Sequence, residues 1–393
     1  MRIAFFSDFS LRQLSGVSDA VRMLMETLEE QGHAVRLYAP RYAAARDFDD
    51  TLREVTFPLP NIGIPWMPDY RICWGKHAML ENLRAFQPDV IHTHGFATTG
   101  VMAIRAMQIL NVPLIGTSHG SPSDYLNFFW LDYRWARFFA RRYESWFYNH
   151  CAAVTSPSQS MASTLRLRPG LVPHVISNPL NTGAFRPLPD KSPVRKALDL
   201  EGPTLLSFGR LSREKRVEET IEATAKVIAR GTPCTLLVVG DGLERASLES
   251  HAAHLGILDR VRFLGALHGE RLVETVNAAD VMVITSRVET QSLTTLQSMA
   301  CGLPVVGVRI GALPEVIRDG ETGFIAEPGD TDTLASHIIR LLKDPALRKT
   351  MGEHGRTEAH SHAPQSVTAA FLSVYEEVMA DKPVSSHPHP YAV

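Results

Sequence analysis

Two segments in the second half of the chain place charged side chains just after short apolar runs. In residues 207–216, Gly209 allows a close backbone turn, and Arg210 and Lys215 follow before an amphipathic stretch. Two cations beside a helix N-terminus form a good cradle for a diphosphate, because both the charges and the free amides attract anions. An ordinary strand–helix loop with solvated charges would have the same composition, so this segment alone leaves both interpretations open.

The second segment, residues 285–304, predicts a helix N-terminus in the same kind of position. We expect a strand to end at Thr285 and a helix to cover residues 292–300. The first amides of such a helix have no acceptor within it and can therefore face phosphate oxygens. These amides belong to Gln291, Ser292 and Leu293.

Two side chains of this second segment are suited to binding hydroxyl groups. Glu289, in the predicted loop, can accept hydrogen bonds from sugar hydroxyls, and Gln297, two turns along the helix, can reach a ribose. The alternative for Glu289 is an acid that merely suits the positive end of the helix dipole.

The apolar runs that precede these segments predict two parallel sheets. Short runs rich in Val, Ile and Leu, without alternation, are typical of strands buried on both faces. They lie at residues 3–7, 35–39, 90–94, 114–118, 153–156, 205–208, 236–239, 261–264, 281–285 and 305–308. Helix-length amphipathic stretches alternate with them, which indicates two doubly wound, Rossmann-like α/β domains. Because ligands bind outside the carboxyl ends of such strands, we expect the two sheets to share one cleft.

Chain length and prolines predict the domain boundaries. A chain of 393 residues exceeds one ordinary core, and prolines interrupt the alternation around residues 178–192. We therefore predict an N-terminal domain at 1–182 and a C-terminal domain at 193–362. A helix at 363–380 is expected to pack back on the N-terminal domain, and residues 381–393, rich in Pro, His and Ser, to form a disordered tail.

An ordered set of motifs runs through the second half of the chain. It consists of Gly209-Arg210 with Lys215, Val-Arg-Phe-Leu-Gly at 261–265, Ala279-Asp280, the Glu289 segment, and Gly-Ala-Leu-Pro-Glu-Val at 311–316 with Gly320 and Gly323. Together they resemble glycosyltransferase family four, whose members have the GT-B fold. The first half matches more loosely, at residues 15–17, 89–94 and 117–120.

The resemblance implies a fold and an activity. The fold would be two Rossmann-like domains facing across a cleft, the first on the acceptor side and the second binding a nucleotide sugar. The activity would be transfer of a hexose-type sugar from a UDP- or GDP-sugar to an acceptor hydroxyl. Transfer would retain the anomeric configuration and require neither metal nor another cofactor, with an oxocarbenium-like transition state.

The resemblance also implies roles for the charged residues. The basic pair of that family, here Arg210 and Lys215, neutralises the departing diphosphate. The first acid of its Glu-x7-Glu motif, here Glu289, contacts the transferred sugar. The second acid normally holds the ribose, and this chain has Gln297 there, which can hydrogen-bond a hydroxyl without adding charge.

Two residues of the first half match the family as well. His119 occupies the position of a histidine beside the sugar and reaction centre, and Gly16 that of a flexible turn that approaches the donor. A histidine buried in the core or capping a helix is the alternative for His119.

Residues 124–150 are unusually rich in aromatic and arginine side chains. On a helix, Trp135 and Phe138 would share one side, while Arg134, Arg137 and Arg141 would group on another. Rings and arginines together suit a membrane interface, with an anionic membrane surface as the partner. The alternative is a helix that packs its rings into the first domain, and both interpretations stay open.

The acceptor is predicted from this helix and from a short match. The apolar residues 62–68 could contact a membrane as a loop, and residues 117–120 with 123–126 resemble the subgroup that glycosylates diacylglycerol. We therefore predict a membrane-lipid acceptor and a cytoplasmic protein attached peripherally to the inner face of the plasma membrane. A soluble sugar, or a polysaccharide or lipopolysaccharide intermediate, is the next candidate.

Composition argues against several classes of protein. Lys and Arg number 40 against 42 Asp and Glu, so the chain lacks the basic excess of a nucleic-acid binder. No apolar run approaches the roughly 20 residues that span a bilayer. The four cysteines have neither disulfide-framework nor zinc spacing, which favours a reduced, cytosolic protein.

The sequence predicts neither a metal site nor a dinucleotide fingerprint. Residues 47–49 form an Asp-x-Asp in a polar stretch, and the His-x-His pairs at 92–94, 360–362 and 387–389 lack third ligands. Residues 240–242, Gly-Asp-Gly, lack the third glycine of a dinucleotide site. The competing functions are a nucleotide-sugar epimerase or hydrolase and a non-catalytic nucleotide-sugar sensor, which Gln297 would favour.

Overall fold

The chain folds into two compact units. The computed structural model describes residues 1–9, 16–41, 55–64, 67–121 and 133–380. Unit 1 comprises Met1–Pro179 together with the chain from Pro364 onward, and unit 2 comprises Leu180–Ala363.

Unit 1 is built on a parallel sheet. Its strands are β1 (Arg2–Phe6), β2 (Ala34–Pro40), β3 (Thr56–Leu59), β4 (Asn61–Ile64), β5 (Met67–Cys73), β6 (Val90–Thr93), β7 (Leu114–Thr117), β8 (Ala153–Ser156) and β9 (His174–Val175). The sheet has the order β3-β2-β1-β6-β7-β8-β9, and β4 and β5 form a separate antiparallel pair. Every residue of β6, β7 and β8 is buried, as expected for strands covered on both faces.

Helices cover this sheet on both faces. They are α1 (Gly16–Glu30), α2 (Lys76–Phe86), α3 (Thr98–Leu110), α4 (Arg134–Tyr148) and the single turn α5 (Gln159–Ala162). Side chains alternate along β1, so Ile3 and Phe5 join the core that contains α1, while Ala4 and Phe6 join the core beneath α2, α3 and α4.

Unit 2 repeats the doubly wound pattern with a smaller sheet. Its strands are β10 (Thr204–Phe208), β11 (Thr235–Val239), β12 (Val261–Gly265), β13 (Val281–Ile284), β14 (Val305–Val308) and β15 (Gly323–Ala326), all parallel in the order β12-β11-β10-β13-β14-β15. Its helices are α6 (Ser192–Ala197), α7 (Val217–Ala229), α8 (Arg245–His254), α9 (Gly269–Ala278), α10 (Leu293–Ala300), α11 (Leu313–Val316), α12 (Thr331–Lys343) and α13 (Pro345–Ser361).

The last helix belongs to unit 1. Helix α14 (Pro364–Ala380) packs on α1 and contributes Val367, Phe371 and Tyr375 to the core that contains Ile3 and Phe5. The chain therefore leaves unit 1 once, completes unit 2, and returns to cover the first sheet.

The predicted α/β fold class is confirmed, and each predicted apolar run is a strand. Sequence reasoning missed β3, β9 and β15 and the β4–β5 pair. These strands carry weak signals: β3 contains Pro58, β9 has two residues, and β15 begins at a glycine. Hydrogen bonds to neighbouring strands stabilise these segments, although their own sequences show little preference for a strand.

Several predictions fall outside the described residues. They concern Ser15, the Asp-x-Asp at 47–49, part of the apolar stretch at 65–66, the residues 122–132 that precede α4, and the tail at 381–393.

Candidate active site

The switch point of unit 2 brings the two predicted segments together. Strands β10 and β13 are neighbours in the sheet, but the chain leaves them toward β11 and β14 on opposite sides. The loops after their carboxyl ends therefore flank a crevice, where ligands of this fold class bind. These loops contain residues 209–216 and 285–292.

An ion pair joins the loops at the centre of this crevice. Lys215 ends a 3₁₀ turn, and its Nζ donates to Glu289 Oε1 at 2.7 Å. The two side chains are 29% and 8% exposed, so the pair is shielded but accessible from one side. Both residues line a pocket together with Gly209, Arg210 and Thr294.

Arg210 differs from Lys215 because its side chain has no partner among the described residues. It is exposed at the mouth of the pocket, one residue beyond the left-handed Gly209. A guanidinium with unused donors and a nearby ammonium provide positive charge for an anion that enters the pocket.

Backbone and hydroxyl contacts hold the two loops against each other. The amide of Arg287 donates to the carbonyl of Glu214 at 2.7 Å, and Thr285 Oγ1 donates to the carbonyl of Arg216 at 2.7 Å. These contacts lie on either side of Lys215 and two and four residues before Glu289, so the backbone of the two loops brings the charged side chains together.

A buried acid that the sequence analysis missed braces the same loops. Glu219, in the first turn of α7, accepts from Arg216 Nε at 3.0 Å and from Arg287 Nη2 at 2.7 Å through its Oε1. Its side chain is 5% exposed. The acid in the first helical turn and the arginine after β13 were visible in the sequence, but nothing there showed that they meet.

The Gly-Asp-Gly segment supports the loop that carries Arg210. The amide of Gly209 donates to Val239, and that of Leu211 donates to the carbonyl of Asp241 at 3.0 Å. A methyl group on Gly240, which has φ 136°, would collide with the carbonyl of Gly209. The segment therefore forms a floor under the predicted diphosphate loop.

Helix α10 begins at the predicted place. It starts at Leu293, and Ser292 precedes it with a left-handed φ of 67°. Gln291 and Ser292 are buried, and the Ser292 carbonyl already accepts from the amide of Thr295, so the amides at the very start of the helix are those of Leu293 and Thr294. Thr294 lines the pocket, whereas Gln297 is half-buried one turn further along and is not part of the pocket lining.

Unit 1 holds the other two predicted site residues. Gly16 is exposed and is the first residue of α1, so it lies at a helix start. His119 follows β7, and its Nε2 lies 2.9 Å from Nδ1 of His94. Burial lowers the pKa of His119 to about 4, so the ring is neutral near pH 7.

The switch point of unit 1 contains a buried acid that the sequence analysis also missed. Asp8 follows β1 and accepts hydrogen bonds from the amides of Ala97 and Thr99 and from Thr99 Oγ1. Burial raises the pKa of its carboxyl. Asp8 thereby binds the N-terminus of α3 and fixes the loop after β6.

Among the described residues, no three His, Cys, Asp or Glu side chains are grouped so that they could hold a metal ion. No described helix combines the length and apolar character needed to cross a bilayer. The four cysteines are buried and unbridged.

Helix α4 exposes most of its aromatic rings. Trp135, Phe138 and Phe139 are 58%, 60% and 61% exposed, while Phe147 and Tyr148 at its end are buried. The interpretation that this helix packs its rings into the core is therefore wrong for its first two turns.

Comparisons with known proteins match both units. Residues 14–184 match the family described as Glycosyltransferase Family 4, and residues 190–358 match that described as Glycosyl transferases group 1.

Relatives of known name align over part or most of the chain. Alpha-monoglucosyldiacylglycerol synthase of Streptococcus pneumoniae is 28% identical over 91% of this chain and 81% of its own length. N-acetyl-alpha-D-glucosaminyl L-malate synthase of Bacillus anthracis is 35% identical over 45% of this chain. That match spans 46% of the length of the Bacillus protein, about half of it.

Solved structures share the fold over nearly the whole chain. Sucrose-phosphate synthase from Thermosynechococcus elongatus superposes with a TM-score of 0.79 at 23% identity, covering 97% of this chain and 99% of the other. Anabaena HepE in complex with UDP and glucose superposes with a TM-score of 0.76 at 21% identity, covering 96% of this chain and 100% of the other. The ordered motifs, the two doubly wound sheets and these matches agree, and the chain belongs to glycosyltransferase family four, as a glycosyltransferase of GT-B fold.

Proposed function

We propose that this enzyme transfers a hexose from a nucleoside diphosphate sugar to a hydroxyl of a membrane lipid, with retention of configuration and without a metal. The observation that carries the donor half is the Lys215–Glu289 ion pair, at 2.7 Å, in the pocket that Arg210 also lines. The exposed rings of α4 carry the acceptor half.

The donor half follows from the charges of the pocket. A diphosphate that enters it meets the guanidinium of Arg210, whose side chain has no partner within the described ranges, the ammonium of Lys215 and the amides of Leu293 and Thr294 at the start of α10. Lys215 has three N–H donors, so it can keep its bond to Glu289 while binding a phosphate oxygen. Such preorganised donors stabilise the charge that develops on the leaving diphosphate.

Glu289 is suited to the sugar. The ion pair uses its Oε1, and its second oxygen can accept a hydrogen bond from a sugar hydroxyl. The UDP and glucose complex of HepE supports a nucleotide sugar as donor. The resemblance to the family also implies that His119 contacts the transferred sugar, and this is part of the proposal.

The reaction step balances without a metal. The bond between the anomeric carbon and the phosphate oxygen breaks, and the acceptor oxygen bonds to that carbon on the same face. The proton of the acceptor hydroxyl passes to an oxygen of the departing diphosphate. Lys215 and Arg210 would bind the diphosphate, which carries the negative charge after the bond has broken.

The amide of Gln297 affects nucleotide binding in this proposal. An amide can donate to or accept from a ribose hydroxyl, but it lacks the charge of the acid that the family places there. We expect weaker binding of the nucleotide than a charged side chain at this position gives.

Membrane contact by α4 supports a lipid acceptor. Three neighbouring rings more than half exposed are unusual for a surface without a partner. Arg134, Arg141 and Arg142 are exposed on the same helix, and its acid, Glu144, is buried. Aromatic rings at headgroup level with arginines beside anionic lipids are typical of a peripheral membrane protein. We propose attachment to the cytoplasmic face of the plasma membrane.

The first experiment is mass-spectrometric product analysis with chelator present. Purified protein receives a panel of UDP- and GDP-sugars, with dispersed diacylglycerol-type lipids or soluble sugars as acceptors. A glycosylated lipid formed despite the chelator is the expected result. Products from soluble sugars alone would refute the lipid acceptor, and donor turnover independent of acceptor would identify a hydrolase or epimerase instead.

A second experiment tests the surface of α4. The double variant Trp135→Ser/Phe139→Ser should bind vesicles containing phosphatidylglycerol at least about tenfold more weakly, because two rings lose their apolar burial. Its turnover of a soluble acceptor analogue should stay at the wild-type value. The matched control is Val101→Ser/Ile109→Ser, which removes exposed apolar side chains from α3 of the same unit. Equal vesicle binding by both variants and wild type would refute α4 as the membrane surface.

A further inference from the structure

A closed ring of contacts includes the backbone of Lys215. Arg216, in the first loop, and Arg287, in the second, both donate to Oε1 of the buried Glu219, at 3.0 and 2.7 Å. The amide of Arg287 donates in addition to the carbonyl of Glu214, at 2.7 Å. The chain from Glu214 to Arg216 closes the ring, so Lys215 lies in a short segment that is bonded to the second loop or to Glu219 at both ends.

The backbone makes this ring short. Arg216 has a left-handed φ of 50°, and α7 begins at the next residue, so the chain turns into the helix directly after Lys215. Glu219 is the third residue of α7 and therefore lies one turn from Arg216. Arg287 comes two residues before Glu289. One carboxylate thus binds an arginine next to each member of the Lys215–Glu289 ion pair.

Burial couples the two arginines to each other. The side chain of Glu219 is 5% exposed, whereas those of Arg216 and Arg287 are 43% and 29% exposed. Two guanidinium groups offset the cost of burying the carboxylate, and such charge-assisted bonds are stronger than neutral ones. Because both arginines converge on the same oxygen, a displacement of one loop changes the contact that holds the other.

We propose that Glu219 is a positioning residue, which holds the Lys215 ammonium against Glu289 by fixing the arginine beside each of them. Replacing a buried ion pair by apolar residues often leaves stability unchanged, so the geometry of the loops is the better explanation for an acid at this place. The effect on turnover rests on the proposed function, because it requires that Lys215 bind the departing diphosphate. The brace itself is a property of the free protein, since all of its members belong to unit 2.

A double-mutant cycle tests whether Glu219 acts through Lys215. Transfer from the donor found by product analysis is measured for Glu219→Gln, Lys215→Ala and the double variant. Glutamine keeps the size of the side chain but not the charge that binds two guanidinium groups. We expect Glu219→Gln to lower kcat about tenfold, because a misplaced cation stabilises the leaving group less. When Lys215 is already alanine, the same change should lower kcat by less than about twofold, because the two residues act as one unit.

Two outcomes of the cycle would overturn the proposal. Unchanged kcat in Glu219→Gln would show that the acid does not affect the reaction. Losses that multiply in the double variant would show that it acts independently of Lys215, as a general loss of structure does.

The chain offers a matched control and a second variant. Glu218 lies in the same turn of α7 and pairs with Arg216 at 2.9 Å, with its side chain 31% exposed. Glu218→Gln should therefore keep kcat within about twofold of wild type, as expected for an exposed pair. Arg287→Gln removes the brace from the second loop and should reproduce the loss seen in Glu219→Gln, and thermal unfolding checks that each variant folds. An equal loss in Glu218→Gln would overturn the role of the brace.

Hydrogen exchange in the free protein detects the brace without a substrate. NMR should show the Arg287 amide, which is bonded to Glu214, exchanging about tenfold faster in Glu219→Gln, and at the wild-type rate in Glu218→Gln. Equal rates in all three proteins would overturn the brace. Absence of sugar transfer by the wild type would refute the proposed function instead, and the exchange rates would still decide whether Glu219 holds the two loops together.

Discussion

The two units arrange their parallel strands around the same kind of switch point, but they line it with different chemistry. In unit 2 the crevice beside β10 and β13 contains the Lys215–Glu289 ion pair and the exposed Arg210. In unit 1 the ends of β6 and β7 carry neutral histidines, which are bonded to one another or to hydroxyl groups.

The difference shows that topology determines where a site lies, whereas residue type determines what the site binds. A charged, partly open crevice suits a diphosphate, whose charge must be stabilised as it leaves. The buried, neutral histidines at the ends of β6 and β7 suit hydroxyl groups, because an unpaired charge beside them would be strongly disfavoured. The predictions below test this contrast, from the largest expected effect to the smallest.

Lys215→Ala should lower kcat/KM by about a thousandfold, the upper range for loss of one preorganised donor to a developing anion. The matched control is Lys226→Ala, which removes a half-buried lysine paired with Asp332 on the same unit. Steady-state kinetics check the rate, and thermal unfolding checks that both variants fold. A loss in Lys215→Ala no greater than in Lys226→Ala would remove the leaving-group role.

Acid should destabilise unit 1 more than unit 2. Burial lowers the pKa of His92 to about 3 and of His119 to about 4, below the usual 6.5. The folded protein keeps these rings neutral, whereas the unfolded chain protonates them below pH 6.5. The full stability is therefore present above pH 6.5 and decreases as the pH falls toward the lowered pKa values. Between pH 6.5 and 5, each of these two histidines should lower the free energy of unfolding by roughly 2 kcal/mol, at about 1.4 kcal/mol per pH unit.

Hydrogen exchange in peptides of each unit, at pH 7.5 and pH 5, measures this difference. The pKa of the buried Asp8 is raised, so acid favours the folded state at this residue. It is one group, whereas His92 and His119 are two groups with the opposite effect. In unit 2 the pKa of His337 and of His362 is also lowered by burial, but both are less deeply buried than His92 and should have less effect. Equal loss of protection in the two units would contradict the prediction that the buried histidines make unit 1 more sensitive to acid.

Gly240→Ala should reduce kcat/KM by about a hundredfold, because its methyl group would displace the carbonyl of Gly209 and with it Arg210. Gly202→Ala is the matched control, since a methyl group there meets no atom and the residue does not have a positive φ. Kinetics on the two variants decide whether the floor of the loop positions the cation. Similar rates in both would show that it does not.

Arg216→Gly should change stability by less than about 1 kcal/mol. Arg216 has a left-handed φ of 50°, which costs about 1–2 kcal/mol for a residue with a side chain, and glycine removes that cost. The variant also loses the contacts of Arg216 with the partly exposed Glu218 and the buried Glu219, which keeps its bond to Arg287, and this loss contributes a similar amount. Urea unfolding measures the net change in the free energy of unfolding. A destabilisation above about 2 kcal/mol would show that the contacts with Glu218 and Glu219 outweigh the cost of the left-handed backbone.

The fold was largely predictable because most of its strands are continuous apolar runs in the sequence. Unalternated apolar runs such as β6 and β13 need burial on both faces, and only a doubly wound sheet provides it. The edge strand β9 has two residues and depends on its pairing with β8, so no local pattern marked it.

The candidate site was predictable in its residues but not in its contacts. Motif order placed Lys215 and Glu289 near each other, but the sequence assigned them to separate ligand groups and gave no sign of their ion pair. The brace through Glu219 and the partner of His119 were missed for the same reason. Contacts between residues 68 or 25 positions apart depend on strand order and loop backbone, which side-chain identity does not encode locally.

The return of α14 to the first sheet has a consequence for biosynthesis. During translation, residues 1–179 leave the ribosome without the side chains of Phe371 and Tyr375 that complete their core, whereas unit 2 is contiguous and can fold as soon as residue 363 emerges. The core of the nascent N-terminal half therefore stays incomplete, with Ile3, Phe5 and His92 only partly covered, until α14 has been synthesised. The order in which the protein is synthesised is thus not the order in which its parts can finish folding.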